Sequence, residues 1–203
     1  MKHIKIIAVI LIFSLAFSCS FFEKYEITGG TWDSRTYTND FTGMELTVPE
    51  NYTVLGKDEL KKIYTSSLTN DFSGSTKYNI MGNPLFDMLI YGSDNRSTIF
   101  ILLENVKKKF GSNATSEKYY ELLSKSWNTV EGIEFSELSP ETISIGGYEY
   151  FVGKTKLKFD GTETLRCVYI REIVDNVFMV INVTSYPEIT DEMNNLIKDS
   201  ENK

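Results

Sequence analysis

The sequence predicts an α+β fold, an α/β/α sandwich in which an antiparallel sheet of about six to eight strands is covered by helices on both faces. Three residue pairs suited to tight hairpin turns, Gly146-Gly147, Asp160-Gly161 and Asp175-Asn176, separate apolar segments of the C-terminal half and predict a meander. Residues 99–103 and 177–183 are apolar on both sides of a strand. Such strands need cover on both faces of the sheet, which amphipathic helices can supply.

The N-terminus has the features of an export signal. Lys2 and Lys5 precede an uncharged apolar run at 6–17. This run is too short to cross about 30 Å of hydrocarbon as a helix, which takes roughly 20 residues. A basic start, a short apolar run and then small residues are typical of a cleaved signal peptide. We therefore expect a signal peptide at 1–18, a lipidated tether at 19–31 and a single domain at 32–203.

The segment Leu15-Ala16-Phe17-Ser18-Cys19 resembles the lipobox of bacterial lipoprotein precursors. In that family the cysteine receives a diacylglycerol and becomes the first residue of the mature chain. The resemblance implies lipidation at Cys19, with the chain anchored outside the cytoplasm to the bacterial cell membrane or envelope. Two or three acyl chains on one residue anchor stably. The alternative is a plain cleaved signal with an incidental cysteine.

Loss of the signal peptide removes His3, the one histidine of the chain. The mature protein then has no Ser-His-Asp or Cys-His apparatus and no histidine-bearing zinc or iron site. Its formal net charge changes from −7 to −9 because Lys2 and Lys5 are lost. Such an acidic chain lacks the basic face that binding to nucleic acid requires. We expect no catalytic residues, no metal site and no cofactor.

Once Cys19 is acylated, Cys167 is the one remaining thiol. No intramolecular disulfide can then form. Cys167 alternates with Leu165 and Tyr169, which predicts a small core residue on a strand with Arg166 on the opposite face. A reactive thiol is the alternative, and it would need an exposed electropositive setting.

The N-terminal half predicts two strands, at 32–37 and 44–48, followed by an amphipathic helix at 57–69. Residues 70–84 are polar, with two glycines and a proline, and predict a long loop. Phe72 and Tyr78 stand among small polar residues of this loop and are its candidate partner-binding residues. The alternative is that both rings pack back onto the sheet.

The C-terminal half predicts strands at 85–91, 98–104, 133–138, 142–145, 148–159, 163–174 and 177–184. Thr115 is the expected N-cap of the clearest helix. Its apolar face is formed by Tyr119, Leu122, Leu123, Trp127 and Val130. A last helix starts near Pro187, with an apolar side formed by Ile189, Met193, Leu196 and Ile197.

This order of elements resembles the PsbP-like family, named after the photosystem II extrinsic subunit P, which also includes a Ran-binding nuclear import factor and many bacterial lipoproteins. The resemblance covers residues 36–200. It is carried by the segment 37–52 with Gly43, Pro49 and Tyr52, by the helix around Trp127 after a two-strand hairpin, and by the closing meander and helix. It implies a noncatalytic scaffold, adaptor or ligand-binding domain, and it supplies no metal or partner site.

We therefore expect a noncatalytic binding or scaffold domain for a protein or peptide partner at the cell envelope, not an enzyme. The first alternative is a domain that binds a small molecule or a cell-wall fragment, and the second is a histidine-free hydrolase that uses paired carboxylates. Expected partners are the membrane, through Cys19, and an envelope protein. The basic run Lys107-Lys108-Lys109 predicts a solvated turn, with docking to an acidic partner as its alternative.

Overall fold

The computed structural model describes residues 27–56, 58–60, 62, 85–127 and 132–202. The strands are β1 (Thr31–Asp33), β2 (Thr36–Asn39), β3 (Met44–Thr47), β4 (Thr53–Val54), β5 (Leu85–Tyr91), β6 (Thr98–Asn105), β7 (Ile133–Ile145), β8 (Tyr148–Phe159), β9 (Thr162–Val174), β10 (Val177–Ser185) and β11 (Glu201–Asn202). The helices are α1 (Lys107–Phe110), α2 (Ser116–Trp127) and α3 (Thr190–Lys198), with 3₁₀ turns at Gly111–Asn113 and Pro187–Ile189. Residues 58–60 are helical as well.

The strands form two antiparallel sheets within the described residues. The larger sheet has seven strands in the order β4-β5-β6-β10-β9-β8-β7, and the smaller one has the order β1-β2-β3-β11. The predicted α+β class and the predicted strand number of the main sheet are confirmed. The second sheet, formed by the N-terminal strands and β11, was not predicted as a separate unit.

The three predicted hairpin turns connect β7 to β8, β8 to β9 and β9 to β10. All six turn residues have positive φ angles, for example 84° at Gly147 and 67° at Asn176. Glycine, asparagine and aspartate tolerate this left-handed region better than other residues. The meander of the C-terminal half is therefore determined by local turn chemistry.

Two predicted strand boundaries are wrong. The segment 32–37, predicted as one strand, is the β1–β2 hairpin, because Ser34 has a φ of 54° and reverses the chain. The segments 133–138 and 142–145, predicted as two strands, form the single strand β7 with an irregularity between Leu138 and Glu141. Pro140 lies inside that irregularity, where its missing N–H costs no ladder hydrogen bond.

The main sheet carries an apolar core on each face. The first face, which we call the α2 face, packs Leu89, Phe100 and Phe178 against α2. The second face, the α3 face, packs alternate residues of the same strands against α3 and the smaller sheet. Every residue of β10 is buried, and β6 is buried up to Asn105. The prediction of strands covered on both sides is confirmed.

Helices α2 and α3 begin and pack as their sequences predict. The backbone N–H of Lys118 donates to Thr115 Oγ1 at 3.2 Å, so Thr115 caps α2. Tyr119 and Leu123 are buried on the side of α2 that faces the sheet. Met193 and Ile197 of α3 are fully buried. Of the predicted apolar face of α2, Val130 lies outside the described residues.

Arg35 explains the chain path through Pro49 and Tyr52. Its Nε donates to the carbonyl of Val48 at 3.1 Å, and its Nη2 donates to the carbonyls of Pro49 and of Tyr52, the latter at 2.8 Å. The ring of Tyr52 is buried in the α3-face core. The Pro-x-x-Tyr segment is thus a structural feature that joins the smaller sheet to β4.

Candidate functional site

The functional residues predicted from the sequence, Cys19, Phe72 and Tyr78, lie outside the described residues. Their roles stay predictions. Lys107, the first residue of the basic run, is described and exposed in α1. Among the helices of the described residues, none combines the length and apolar character that crossing a membrane requires.

The most exposed apolar surface of the described residues lies on the β7–β8 hairpin. Leu138, Tyr148 and Phe159 are 37%, 44% and 37% exposed, and they are the exposed large hydrophobic side chains of the described part of the chain. Leu138 belongs to β7, and Tyr148 and Phe159 are the first and last residues of β8. Tyr148 and Phe159 stand at opposite ends of β8, and strand alternation places Phe159 on the opposite face from Tyr148 and Leu138, so these are three separate exposed positions on one hairpin. Exposed aromatic side chains are enriched at protein-binding surfaces.

The same hairpin ends the main sheet. β7 is its terminal strand, 13 residues long, and pairs with β8 on one side. Its outer edge therefore presents backbone N–H and C=O groups that pair with no strand among the described residues. An extended peptide can add to such an edge by main-chain hydrogen bonds. The irregularity at Pro140 divides the edge into two stretches and limits pairing of the whole edge with other chains.

Charged side chains cover one face of this hairpin. Lys154 pairs with Glu141 at 2.9 Å, and Lys158 pairs with Glu134 at 3.7 Å, each between neighbouring strands. Exposed pairs of this kind contribute about 0–1 kcal/mol each. They place charged groups beside Leu138, which pairs in register with Lys154.

A guanidinium lies at the other end of the hairpin, beside the Gly146-Gly147 turn. The Cζ atom of Arg171 lies 4.1 Å from the ring centroid of Tyr148 and 5.3 Å from that of Tyr150. Its Nη2 donates to the carbonyl oxygen of Thr42, in the β2–β3 turn. Arg171 is 6% exposed. The site thus combines one buried cation, one buried ring and one exposed ring.

Burial raises the pKa of the Tyr150 hydroxyl, and the neighbouring Arg171 charge lowers it by a smaller amount. Tyr150 therefore remains a neutral hydrogen-bonding group at physiological pH.

Asp87 forms a second polar cluster, which is structural. Its Oδ1 accepts from the Gly30 N–H at 2.7 Å, and its Oδ2 accepts from Asn39 Nδ2 at 2.6 Å and from the Tyr37 hydroxyl. Burial, followed by the Asp87 charge, raises the pKa of Tyr37. A Cβ at Gly30 would lie 2.8 Å from the backbone oxygen of Thr38 and closer still to the Tyr37 ring, so this position requires glycine. The described end of the predicted tether therefore packs on the domain.

Buried polar groups also cross the α2 face. Thr155, Arg166, Thr184 and Thr98 lie side by side on β8, β9, β10 and β6, and all four are buried. Burial lowers the pKa of Arg166 to about 9. The Tyr120 hydroxyl of α2 lies 2.9 Å from Thr155 Oγ1 and connects the helix to this row. We call these four residues the polar row.

A buried carboxylate lies on the same face. Glu104 of β6 accepts a hydrogen bond from the Tyr119 hydroxyl of α2. Burial, and next the charge of Glu104, raise the pKa of Tyr119. This contact joins α2 to β6 inside the core.

Cys167 is buried on the α3 face, as the alternation predicted. Burial raises the pKa of its thiol, which keeps the sulfur protonated and unreactive. Beside it, the Tyr169 hydroxyl donates to Asn194 Oδ1 of α3 at 2.5 Å. Within the described ranges, no group of three or more His, Cys, Asp or Glu side chains is placed to hold a metal ion.

The comparisons with known proteins give structural similarity alone. No protein-family model matches the chain, and no curated protein matches its sequence. The solved structures similar to it include cyanobacterial PsbP (CyanoP) from Synechocystis sp. PCC 6803, with a TM-score of 0.47 and 11% identity over 89% of this chain and 92% of that one. LpqN of Mycobacterium tuberculosis, described as involved in cell envelope biogenesis, has a TM-score of 0.45 and 12% identity over 78% and 82% of the two chains.

A protein of Bacteroides thetaiotaomicron has a TM-score of 0.46 and 11% identity over 85% of this chain and 49% of that one. A PsbP structure is thus among the solved structures to which this chain is similar. Identities of 11–12% are too low to transfer an activity or a partner from these proteins.

Sequence reasoning did not find the surface on the β7–β8 hairpin or the Arg171 site. One signal was present for each. Tyr148 follows a Gly-Gly turn, where a large ring has little to pack against, and Arg171 continues the apolar alternation of Cys167 and Tyr169. An arginine in such an alternation points its charge toward the core side of a sheet.

Proposed function

We propose that this chain is a noncatalytic, lipid-anchored extracytoplasmic domain that binds a protein or peptide partner through the β7–β8 hairpin. The observation that supports this proposal is that the exposed large apolar side chains of the described residues, Leu138, Tyr148 and Phe159, all lie on the hairpin that ends the main sheet. Aromatic residues are enriched among the residues that dominate binding energy, and an available strand edge can accept an extended peptide by main-chain hydrogen bonds.

The anchoring part of the proposal rests on the signal-like segment 1–18 and the lipobox-like residues up to Cys19. The mature chain is acidic and is repelled by anionic lipids, so the acyl chains on Cys19 hold it at the membrane. In Cys19→Ser we expect acylation to be lost and the signal-cleaved chain to leave the membrane fraction. Retention of the signal-cleaved variant in washed membranes would contradict the anchor.

The partner is sought by crosslinking the full-length protein in its own cells, followed by mass spectrometry of the captured proteins. A photo-reactive residue replaces Glu137, an exposed position of β7. We expect one dominant protein, and we expect the Leu138→Ser/Phe159→Ser variant to lose it, because serine removes the apolar contact area without disturbing a buried residue. Lys125→Ala, on the exposed side of α2, is the matched control and should retain the partner.

The variant Phe72→Ala/Tyr78→Ala tests the loop 70–84 as the alternative binding surface. If this variant loses the partner and Leu138→Ser/Phe159→Ser keeps it, the partner binds the loop and the hairpin proposal is wrong. If the parent protein captures no protein reproducibly, the partner-binding function itself is wrong.

A second candidate function, binding of a small polar molecule or cell-wall fragment between the sheet and α2, is favoured by the polar row. Four buried polar side chains in register provide hydrogen-bonding groups where an apolar core would otherwise continue. A soluble cell-wall disaccharide-peptide should then raise the melting temperature, and Thr98→Val/Thr184→Val should abolish the effect. An unchanged melting temperature at millimolar concentration would exclude this candidate for that probe.

A further inference from the structure

Two arginines of the described residues, Arg96 and Arg171, stack on tyrosine rings, and they differ in how their charge is compensated. Arg96 lies 4.0 Å from the ring centroid of Tyr186, and its Nε is 4.0 Å from a carboxylate oxygen of Asp94. Arg171 stacks in the same way on Tyr148 but forms no ion pair with any described carboxylate. Arg96 is the more exposed of the two arginines, and it is the one that has a carboxylate partner.

The hydrogen bonds of Arg171 leave most of its donors unused. A guanidinium carries five N–H donors in one plane. The carbonyl of Thr42 accepts from Nη2, and Nε is buried without an acceptor. Arg35 of the same protein donates to three backbone carbonyls, one of them from its Nε. The Arg171 guanidinium is thus positioned by Thr42 and the tyrosine rings, but among the described residues its charge has no carboxylate partner and its Nε has no acceptor.

Burying a charge without a partner is unfavourable, and a planar guanidinium is the geometry that pairs best with a carboxylate. The rings of Tyr148 and Tyr150 lie beside the guanidinium, and its Nε is buried without an acceptor. We propose that Arg171, Tyr148 and Tyr150 form a carboxylate-binding site at the Gly146-Gly147 end of the β7–β8 hairpin.

Tyr148 controls entry to this site. Its side chain is 44% exposed, and it follows Gly147, whose φ of 84° aims the chain back across the sheet. Rotation of the exposed ring uncovers the guanidinium while Tyr150, which is buried, stays in place. The Tyr148 hydroxyl can then donate a second hydrogen bond to the bound carboxylate. This proposal does not depend on the proposed partner-binding function, because a free carboxylate can bind at the site without any protein partner.

The carboxylate has two sources that share this chemistry, a free small anion and an acidic side chain of a peptide. The experiment uses the full chain, labelled with ¹⁵N and purified from membranes in neutral detergent, and follows the side-chain Nε–H signals of its arginines by NMR. The probes are acetate, the blocked tripeptide acetyl-Gly-Glu-Gly-amide and its Gln counterpart, with chloride at equal ionic strength as the control anion.

We expect a saturable shift of the Arg171 signal with acetate, and none with chloride or with the Gln peptide. Tighter binding of the Glu peptide than of acetate, by tenfold or more, would identify a peptide as the source, and equal binding would identify a free carboxylate. The Arg96 signal is the matched control and should not respond, since Asp94 already occupies it.

Two variants separate a binding role from a structural one. Arg171→Lys retains the charge and loses the planar fork, and Tyr148→Ser removes a ring that is 44% exposed. Both should bind acetate at least fivefold more weakly, with unchanged melting temperature in Tyr148→Ser. The proposal is overturned if the Arg171 signal does not saturate with acetate or the Glu peptide, or if Tyr148→Ser binds as the parent does.

Discussion

Gly153 lies on β8 directly under the ring of Tyr120, which projects from α2. A Cβ added at this position would come closer than 3.0 Å to three atoms of that ring, which real Cβ atoms essentially never do. The ring cannot move freely, because its hydroxyl lies 2.9 Å from Thr155 Oγ1 and donates to the Lys154 carbonyl at 3.3 Å. In Gly153→Ala, α2 must therefore shift outward or the Tyr120 ring must leave its place.

The cost follows from three effects. Overpacking a core contact destabilises by about 1–3 kcal/mol. Displacing the Tyr120 hydroxyl loses a hydrogen bond worth about 1 kcal/mol. Alanine recovers about 0.5 kcal/mol because it restricts the unfolded chain more than glycine does. We expect the free energy of unfolding to fall by about 2–3 kcal/mol, which lowers the melting temperature of a domain this size by about 6–9 °C.

Urea unfolding of the parent, Gly153→Ala, Tyr120→Leu and the double variant measures this contact as a double-mutant cycle. Leucine is smaller than tyrosine, so Gly153→Ala should lower the free energy of unfolding by at least about 1 kcal/mol less in the Tyr120→Leu background than in the parent. Gly56→Ala is the matched control, since its Cβ would lie 3.7 Å from the nearest atom, and it should change stability by less than about 0.5 kcal/mol. Full stability of Gly153→Ala, or a cost unchanged by Tyr120→Leu, would refute the packing of α2 against β8.

Three further predictions concern buried groups. Asp87→Asn replaces one acceptor oxygen of the cluster with a donor and should lower the free energy of unfolding by about 3 kcal/mol in urea melts, whereas a loss below about 1 kcal/mol would mean that water already serves these donors. Leu123→Asp places a charge where the side chain is 1% exposed and should prevent cooperative thermal unfolding; an unchanged melting curve would show that this face of α2 is not buried. Tyrosines in the unfolded chain ionise near pH 10, whereas buried Tyr37 and Tyr119 have raised pKa values. Stability should therefore fall above pH 10, by about 1.4 kcal/mol per pH unit for each such tyrosine, and Tyr119→Phe should make the decline shallower in urea melts at pH 9 to 11. Parallel slopes would contradict the burial of that hydroxyl.

Local sequence patterns predicted most of the fold. Gly146-Gly147, Asp160-Gly161 and Asp175-Asn176 adopt positive φ angles because of their own chemistry, so the meander could be predicted without knowledge of any contact. The alternation in β9 and the helical spacing in α2 likewise reflect which side of one element meets the core. The errors came where a polar residue rather than glycine turns the chain, as at Ser34, and where an irregularity joins two short segments into one strand, as in β7.

The candidate sites required the tertiary structure. Asp87 and Tyr37 are separated by 50 residues, and Arg171 and Thr42 by 129, so no spacing in the sequence brings either pair together. Whether Leu138 is exposed depends on β7 being the last strand of the sheet, and the strand order depends on which edges other strands occupy. By itself the sequence determined the turn positions and the two-sided strands, because these are local properties of the chain, and its export and lipidation signals stay predictions. Tertiary structure alone decided which polar groups are buried together and which apolar ones stay outside, because both depend on contacts between distant segments.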